Sequence, residues 1–507
     1  MVTTSRKTHS RKSIKTLVVE IVNSLEWLIV AFILALFFRA FVMEAFRIPT
    51  GSMADTLRGD HFRLRCRQCG YRFNYGIGGF NSHKSHNPGR PAYARCPSCG
   101  YYQPVNGKIP PASGDRILVL KCIYQFTEPR RWDVVVFKNP REPTINYIKR
   151  LVGKPGETVS IIDGDVYING EIARKPAELQ KCLWMVVYDN DYRPVDPAQG
   201  RFNGHIWSQP FRNSEGSNWV TGSEDNPVSF TLNSPSDKLN YLVYDSSVGN
   251  DFKAAYAYND PQSYAELPFC SDLMLRFNVS FKRPDDSVGI SLTKHETTYR
   301  GEIEASGKMV ISSSLQEKPL AEKTLEIPEP AQPALCQFEV IDNQLILRFG
   351  AELLTYDLGP LPEIAAVVSA NHQPGASIFG AGRLELSHIA LFKDIHYTIA
   401  KHAGIQPAPR ATQSNPFTLE EGEYFVLGDN SPNSEDSRWW SVSGKGNNFT
   451  FYRAGVVPHN YLVGKAVFVY WPGGFKPFRG FPVSVIPNVG EMRPVYGGSN
   501  HTYGRGG

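Results

Sequence analysis

The chain has 507 residues, 41% of them hydrophobic and 20% charged. That gives room for two to four folded domains and excludes a mainly disordered protein. The net charge of +5 sits in a basic head: Arg6, Lys7, Arg11, Lys12 and Lys15 come with no acid, and the body beyond them is charge-balanced, with no nucleic-acid footprint.

The head (1–16) is followed by the run "WLIVAFILALFF" at 27–38. With softer apolar flanks over 17–45 it reaches the roughly 20 residues that cross a bilayer. Glu20, Glu26, Arg39 and Glu44 interrupt only the flanks, where end charges reach the headgroups. Two other readings stay open. A cleaved signal peptide lacks a small-x-small site in "FRAFVMEAF", and a buried core helix leaves the basic head unexplained. The excess of bases places residues 1–16 in the cytoplasm and everything past residue 45 on the far side.

Residues 46–64 contain "FRIPTGSMADTL" (46–57). Alone, Ser52 reads as a turn or cap residue. It lies in no G-x-S-x-G elbow, no lysine follows three positions on, and a serine nucleophile needs a base. Residues 65–112 hold Cys66-x-x-Cys69-Gly-Tyr and Cys96-x-x-Cys99-Gly-Tyr. Four thiolates so spaced suit tetrahedral zinc, and the glycine permits the tight turn. A pair of disulfides is the alternative, because this segment falls on the oxidising side. His61, His83 and His86 read as surface residues. Cys122, Cys182, Cys270 and Cys336 follow no pattern and read as buried or free thiols.

Residues 113–183 carry strand-like runs with Gly/Pro turns, "DRILVLKCIY" (115–124), "WDVVVFKNP" (132–140) and "NYIKRLVG" (146–153). Lys149 sits among Ile148 and Leu151 with no acid within four positions. A lysine serves as a base only when neutral. Moving its pKa from ~10.4 to about 8 takes roughly 3 kcal/mol of desolvation, so the ordinary reading is an exposed strand lysine. Residues 184–405 show alternating runs such as "DLMLRFNVSF" (272–281) and "SVGISLTKH" (287–295), which predict a two-sheet sandwich. They show no paired-carboxylate or metal signature. A linker and a return to the earlier style fill 406–475. A tail follows at 476–507, with "GGSNHTYGRGG" expected to be disordered.

Five blocks, in order, resemble type I signal peptidase, the membrane-anchored Ser/Lys protease family that removes signal peptides. They are residues 46–57, 113–121, "RRWDVVVFKNP…NYIKRLVGKPGE" (130–157), "GEYFVLGDNSPNSEDSRWW" (422–440) and "GVVPHNYLVGKAVFVYW" (455–471). The resemblance covers fewer than half the residues, roughly 17–62, 113–182 and 415–475. It implies a mainly β fold: a signal-peptidase-type catalytic core in three pieces behind one transmembrane helix. The knuckle segment (65–112) then becomes a zinc-ribbon-like insert and 184–405 a β-sandwich insert. The last run of that insert, "GRLELSHIALFKDIHYT" (382–398), resembles the final strands of a concanavalin A/laminin G-like sandwich, whose ligand stays unassigned.

Carried over by position, the resemblance makes Ser52 the nucleophile and Lys149 the general base. The Thr50 hydroxyl and the Ser52 N–H become oxyanion donors. Ser434 orients the lysine, Asp436 and Arg438 form a supporting ion pair, and Ile48, Pro49, Tyr147 and Ile148 line the substrate groove. Catalysis needs no cofactor; structural zinc would sit on Cys66, Cys69, Cys96 and Cys99. The implied partners are secretory precursors with signal peptides, the lipid bilayer and translocation machinery, with no nucleic acid. The implied location is the cell membrane, single-pass, with the catalytic domain extracytoplasmic. The sequence departs from the family at Thr50 (commonly serine), at Asp55 (commonly proline), and at Ser431-Pro432 (commonly an arginine and an acid). An extra stretch, "SVSGKGNNFTFYRA", follows "RWW". The rival reading is a catalytically silenced, membrane-anchored protein that displays a carbohydrate- or protein-binding sandwich. The joint presence of Ser52, Lys149 and Ser434 argues against it.

Overall fold

A computed structural model describes residues 14–497 except 79–91, 106–108, 141, 199–200, 224–225, 260–263, 326–332, 360–371, 400–408, 446–450, 475–485 and 487. Arg6, Lys7, Arg11, Lys12, His83, His86 and the last ten residues of the tail lie outside the described residues.

Helix α1 spans Ile14–Phe37 and continues into a π-helical turn, Phe38–Val42. Within it, Val18–Val42 has a mean hydropathy of 2.2, and none of it is buried against the protein. At about 1.5 Å per residue such a helix exceeds the ~30 Å hydrocarbon thickness. Unburied along this length, it is not a core helix. The chain leaves it earlier than the predicted boundary at 45, because Met43–Arg47 (β1) pairs with Leu120–Arg116.

Seven strands then form the main sheet: β1, Arg116–Leu120 (β2), Val134–Lys138 (β3), Asn146–Gly153 (β4), Glu423–Leu427 (β5), Val457–Pro458 (β6) and Leu462–Trp471 (β7). Their spatial order is β1-β2-β7-β3-β4-β5-β6, with Arg493–Pro494 (β8) also pairing with β7. The apolar run "VVVF" of β3 is buried throughout, as a strand covered on both faces requires. A small sheet of Glu171–Ile172, Asp165–Ile168, Thr158–Ile162 and Phe417–Thr418 abuts it and shares a core with β3, β4 and β5. β8 corrects the expected tail at 476–507. It pairs with Val469 and Phe468, Val495 packs into the core, and Arg493 Nη2 donates to Asp115 Oδ2 at 3.1 Å.

Between β4 and β5 in sequence, two antiparallel sheets of eight and seven strands enclose one hydrophobic cluster drawn from both. The first strand, Met185–Asp189, lies antiparallel to the last, Arg383–Lys393, with Met185 opposite Lys393. Ile395 and Tyr397 already belong to the core beside the main sheet, so the sandwich ends near residue 393 rather than 405.

Two further expectations change. His61 is fully buried, its Nδ1 2.8 Å from Gly59 O; it lies on a strand, His61–Arg65, paired with Arg72–Gly76. The sandwich region does contribute carboxylates to a cluster. Asp272 and Asp342 of the sandwich, with Asp394 just past its last strand, meet Asp165 of the small sheet, with oxygens within 4.8 Å of one another and all four buried. Lys175 sits 2.5 Å from Asp342 and 3.0 Å from Asp394, and Lys294 pairs with Asp272. The four acids are scattered along the chain, so no spacing reveals them.

Candidate active site

The Ser52 turn is pinned from both sides. The Ile48 N–H donates to Asp115 O at 2.8 Å, holding the end of β1 beside β2. Past the serine, Met53 and Leu57 are fully buried anchors, and the Leu57 N–H donates to Met53 O at 2.7 Å. Lys149 stands opposite Val135 on β4 and is only 5% exposed, which excludes the exposed-lysine reading. Its Nζ is 2.7 Å from Ser52 Oγ and 3.2 Å from Ile148 O. Burial pushes its pKa down to about 8; Asp436 opposes that shift and Arg438 assists it. With that pKa a minority of Lys149 is neutral at pH 7, a share that grows with pH, and it is this neutral amine, in contact with the hydroxyl, that can accept the hydroxyl proton.

The Ser52 N–H and the exposed Thr50 hydroxyl have no acceptor among the described residues. The carbonyls beside them are engaged: Asn430 Nδ2 donates to Gly51 O at 2.8 Å and Asn430 N to Ser52 O at 3.0 Å. Ser434 does not bond Lys149. Its Oγ donates to Asp436 Oδ2 at 2.7 Å, and that carboxylate is itself paired with fully buried Arg438 at 2.7 Å. Arg438 also donates to Thr398 O and to Ser431 Oγ, both at 2.6 Å. Ser431, one of the departures, therefore caps the arginine. Asp55 lies 3.8 Å from Arg58.

Of the expected groove residues, Ile48 is buried, Pro49 exposed, and Tyr147 and Ile148 half-buried. Among the described residues, β1 pairs only with β2, and residues 146–149 pair only with β3, because β5 joins β4 from Arg150 onward. Both segments beside Ser52 thus keep a free edge, as β-strand addition requires.

Sequence reasoning missed two features. Arg150 binds Asp429 in a bidentate pair at 2.7 and 2.6 Å, with both side chains buried, and also donates to Trp132 O at 2.8 Å. The signal was adjacency: each residue neighbours a motif residue, Lys149 and Asn430. The second feature comes from the sandwich region. Asn259 Nδ2 donates to Asn430 Oδ1 at 2.5 Å, and Asn430 Nδ2 donates back at 2.9 Å. No local pattern marks it.

The four knuckle cysteines converge. Cys66 Sγ is 3.7 Å from Cys99 Sγ, and Cys69 Sγ is 3.6 Å from Cys96 Sγ; all four thiols are free. Disulfides are therefore absent among them. Tetrahedral zinc with Zn–S near 2.3 Å sets its sulfurs about 3.8 Å apart, so the thiols fit that ion. Both knuckles close identically: Gly70 and Gly100, each at φ +77°, donate to Cys66 O and Cys96 O at 3.0 Å.

Residues 110–205 and 394–471 match the family model described as signal peptidase, peptidase S26. The match includes Lys149, Ser434, Asp436 and Arg438; it excludes Ser52 and the sandwich from 206 to 393. The chain is 33% identical over 147 residues to "Signal peptidase I" of Rickettsia canadensis (strain McKiel), covering 28% of this chain and 42% of the relative. It is 34% identical over 141 residues to "Signal peptidase I" of Pseudomonas aeruginosa, covering 27% and 34%. The chain thus spans less than half the length of the curated relatives it matches. Among solved structures, the carbohydrate binding module CBM66 from Bacillus subtilis aligns at 8% identity and TM-score 0.21, over 37% of this chain and 93% of that one; so low a score carries no argument.

Proposed function

We propose that this protein is a membrane-anchored endopeptidase of the signal peptidase I type, with a Ser52/Lys149 dyad. The observation that carries the reading is the 2.7 Å contact between Ser52 Oγ and a buried Lys149 whose pKa is pushed down to about 8. The similarity to signal peptidase I over both matched segments supports the substrate class: secretory precursors with signal peptides.

The precursor adds as a strand to the free edges of β1 and residues 146–149. Neutral Lys149 takes the Ser52 proton as Oγ attacks the scissile carbonyl. The resulting oxyanion accepts from the Ser52 N–H and the Thr50 hydroxyl. Lys149 then gives its proton to the departing amine, leaving an ester on Ser52, and next activates the water that hydrolyses it. Ser434, Asp436 and Arg438 support the site from behind. Helix α1 holds it at the bilayer, N-terminus inside and catalytic domain outside.

The full chain in detergent or lipid is expected to cut a precursor peptide after Ala-x-Ala, and Ser52→Ala to leave it intact. An inert wild type in a competent membrane preparation would sink the reading in favour of the silenced binding protein.

Cys66, Cys69, Cys96 and Cys99 would hold a structural zinc that clamps the two knuckles, away from the chemistry. Metal analysis is expected to find zinc equimolar with the chain, and chelation to expose all four thiols to titration. Protein that binds no metal and yields the same thiol count after chelation contradicts this.

A further inference from the structure

The segment ending at Asn259 belongs to the sandwich region, outside the family match, yet it reaches the nucleophile. Tyr258 is 3% exposed, and its ring packs against Gly51: a Cβ there would sit 2.3 Å from Tyr258 Cε1, so a side chain at this position would force the ring to move. Tyr258 O also accepts from the Gly76 N–H at 2.9 Å, tying the segment to the knuckle strands. Asn259, the next residue, forms the reciprocal amide pair with Asn430.

Asn430 grips both peptide planes that flank Ser52, through Gly51 O and Ser52 O. The Gly51 carbonyl and the Ser52 N–H belong to one planar trans peptide and point in opposite directions. Fixing the carbonyl therefore fixes the aim of the N–H. The Asn430 amide has two N–H donors; one goes to Gly51 O and the other to Asn259 Oδ1. With Asn259 Nδ2 on its oxygen, the Asn430 side chain is fully satisfied and cannot rotate without losing three bonds.

We propose that Asn259 is a positioning residue for Ser52: it locks Asn430, which aims the Ser52 N–H at the developing oxyanion. This rests on the reading of Ser52 as nucleophile. Removing an oxyanion donor outright costs about 10²–10³ in kcat, so a donor left present but loosely aimed loses about 10- to 100-fold. Asn259→Ala has that effect, because water replaces its amide. Asn259→Asp has a larger one. A carboxylate offers no donor to Asn430 Oδ1 and draws Nδ2 away from Gly51 O.

The test measures kcat and KM of the full chain on the Ala-x-Ala peptide, for wild type, Ser52→Ala, Asn259→Ala and Asn259→Asp. It also measures affinity for a peptide aldehyde, whose adduct with Ser52 Oγ carries the oxyanion. The expected result has four parts. The kcat falls from wild type through Asn259→Ala to Asn259→Asp while Ser52→Ala is inert, KM of the Asn259 variants stays within about twofold, their aldehyde affinity falls in parallel with kcat, and the rising limb of the pH profile of Asn259→Ala stays at the wild-type position. Unchanged kcat in both variants overturns the proposal, and so does a rise in KM alone. If Asn259→Ala fails to fold, the isosteric Asn259→Asp carries the test; loss of folding in both contradicts a local positioning role. An inert wild type instead defeats the underlying reading, whereas an active wild type with a dead Ser52→Ala and normal Asn259 variants defeats only this inference.

Discussion

Lys149→Ala is expected to lower kcat/KM on a precursor peptide by about 10⁴-fold or more, with the fold unchanged by circular dichroism. No other base touches Ser52 Oγ among the described residues, and activation of the nucleophile is a term of that size. Lys149→Arg fails as completely, because a guanidinium does not deprotonate in this range. The wild-type profile follows from a pKa of about 8. Activity rises tenfold per pH unit below that value and levels off above it. A profile flat from pH 6 to 9 excludes the lysine as base. The same burial acts on stability. The folded state binds fewer protons than the unfolded one between about pH 8 and the ordinary lysine value of 10.5. Stability therefore increases with pH through that window, and below it the chain carries a penalty of about 3 kcal/mol. Lys149→Met is expected to raise the melting temperature at pH 7 while abolishing cleavage. An unchanged or lower melting temperature contradicts the desolvation account.

Asp429→Ala is expected to destabilise the main sheet by about 3–5 kcal/mol, because it strands the Arg150 guanidinium in a site with no exposure. The arginine is held protonated there by Asp429 against the cost of burial. The measurement is the urea midpoint of the transition that follows loss of peptide cleavage, since a chain of several cores does not unfold as one unit. The double variant Arg150→Met/Asp429→Leu is expected to recover much of the loss, because removing both charges leaves neither unpaired. A single-variant effect under about 1 kcal/mol shows that water reaches the pair.

The legible parts of this protein were those with short-range patterns. The knuckles announce themselves through paired Cys-x-x-Cys-Gly spacing, the helix through length and hydropathy, and the sandwich through alternation. The proposed pairing of Ser52 with Lys149 needs the family blocks, since each alone is an ordinary residue in an ordinary context. The unread parts depend on contacts between distant positions. Asn259 is one polar residue among many, and its meaning exists only where Asn430 arrives 171 positions later. The acids around Lys175 and Lys294 come from separate strands. Ser434 falls in the family block, but its hydrogen bond runs to Asp436 rather than to Lys149, a pairing that motif position does not specify. The end of the chain was read as tail because "RP" followed by "VY" has no strand length of its own; β7 supplies the pairing.

The neighbours β4 and β5 have a consequence for the order of folding. Arg150 and Asp429 touch across them yet lie 279 positions apart. Were the intervening chain unfolded, closing that loop would cost about 3 kcal/mol more than closing a hairpin-sized one. Once folded, the sandwich begins and ends on paired strands, Met185 against Lys393, so its ends are held about 5 Å apart and the long connection behaves as a short one. The dyad has no Asn430 clamp until the final third of the chain has been made and docked. If Ser52 and Lys149 act as proposed, proteolytic competence is expected to arrive last, after the sandwich has folded. On that proposal, destabilising substitutions deep in that sandwich, far from Ser52, are expected to reduce the yield of cleaving protein and its rate of appearance while leaving the kcat of each mature molecule intact.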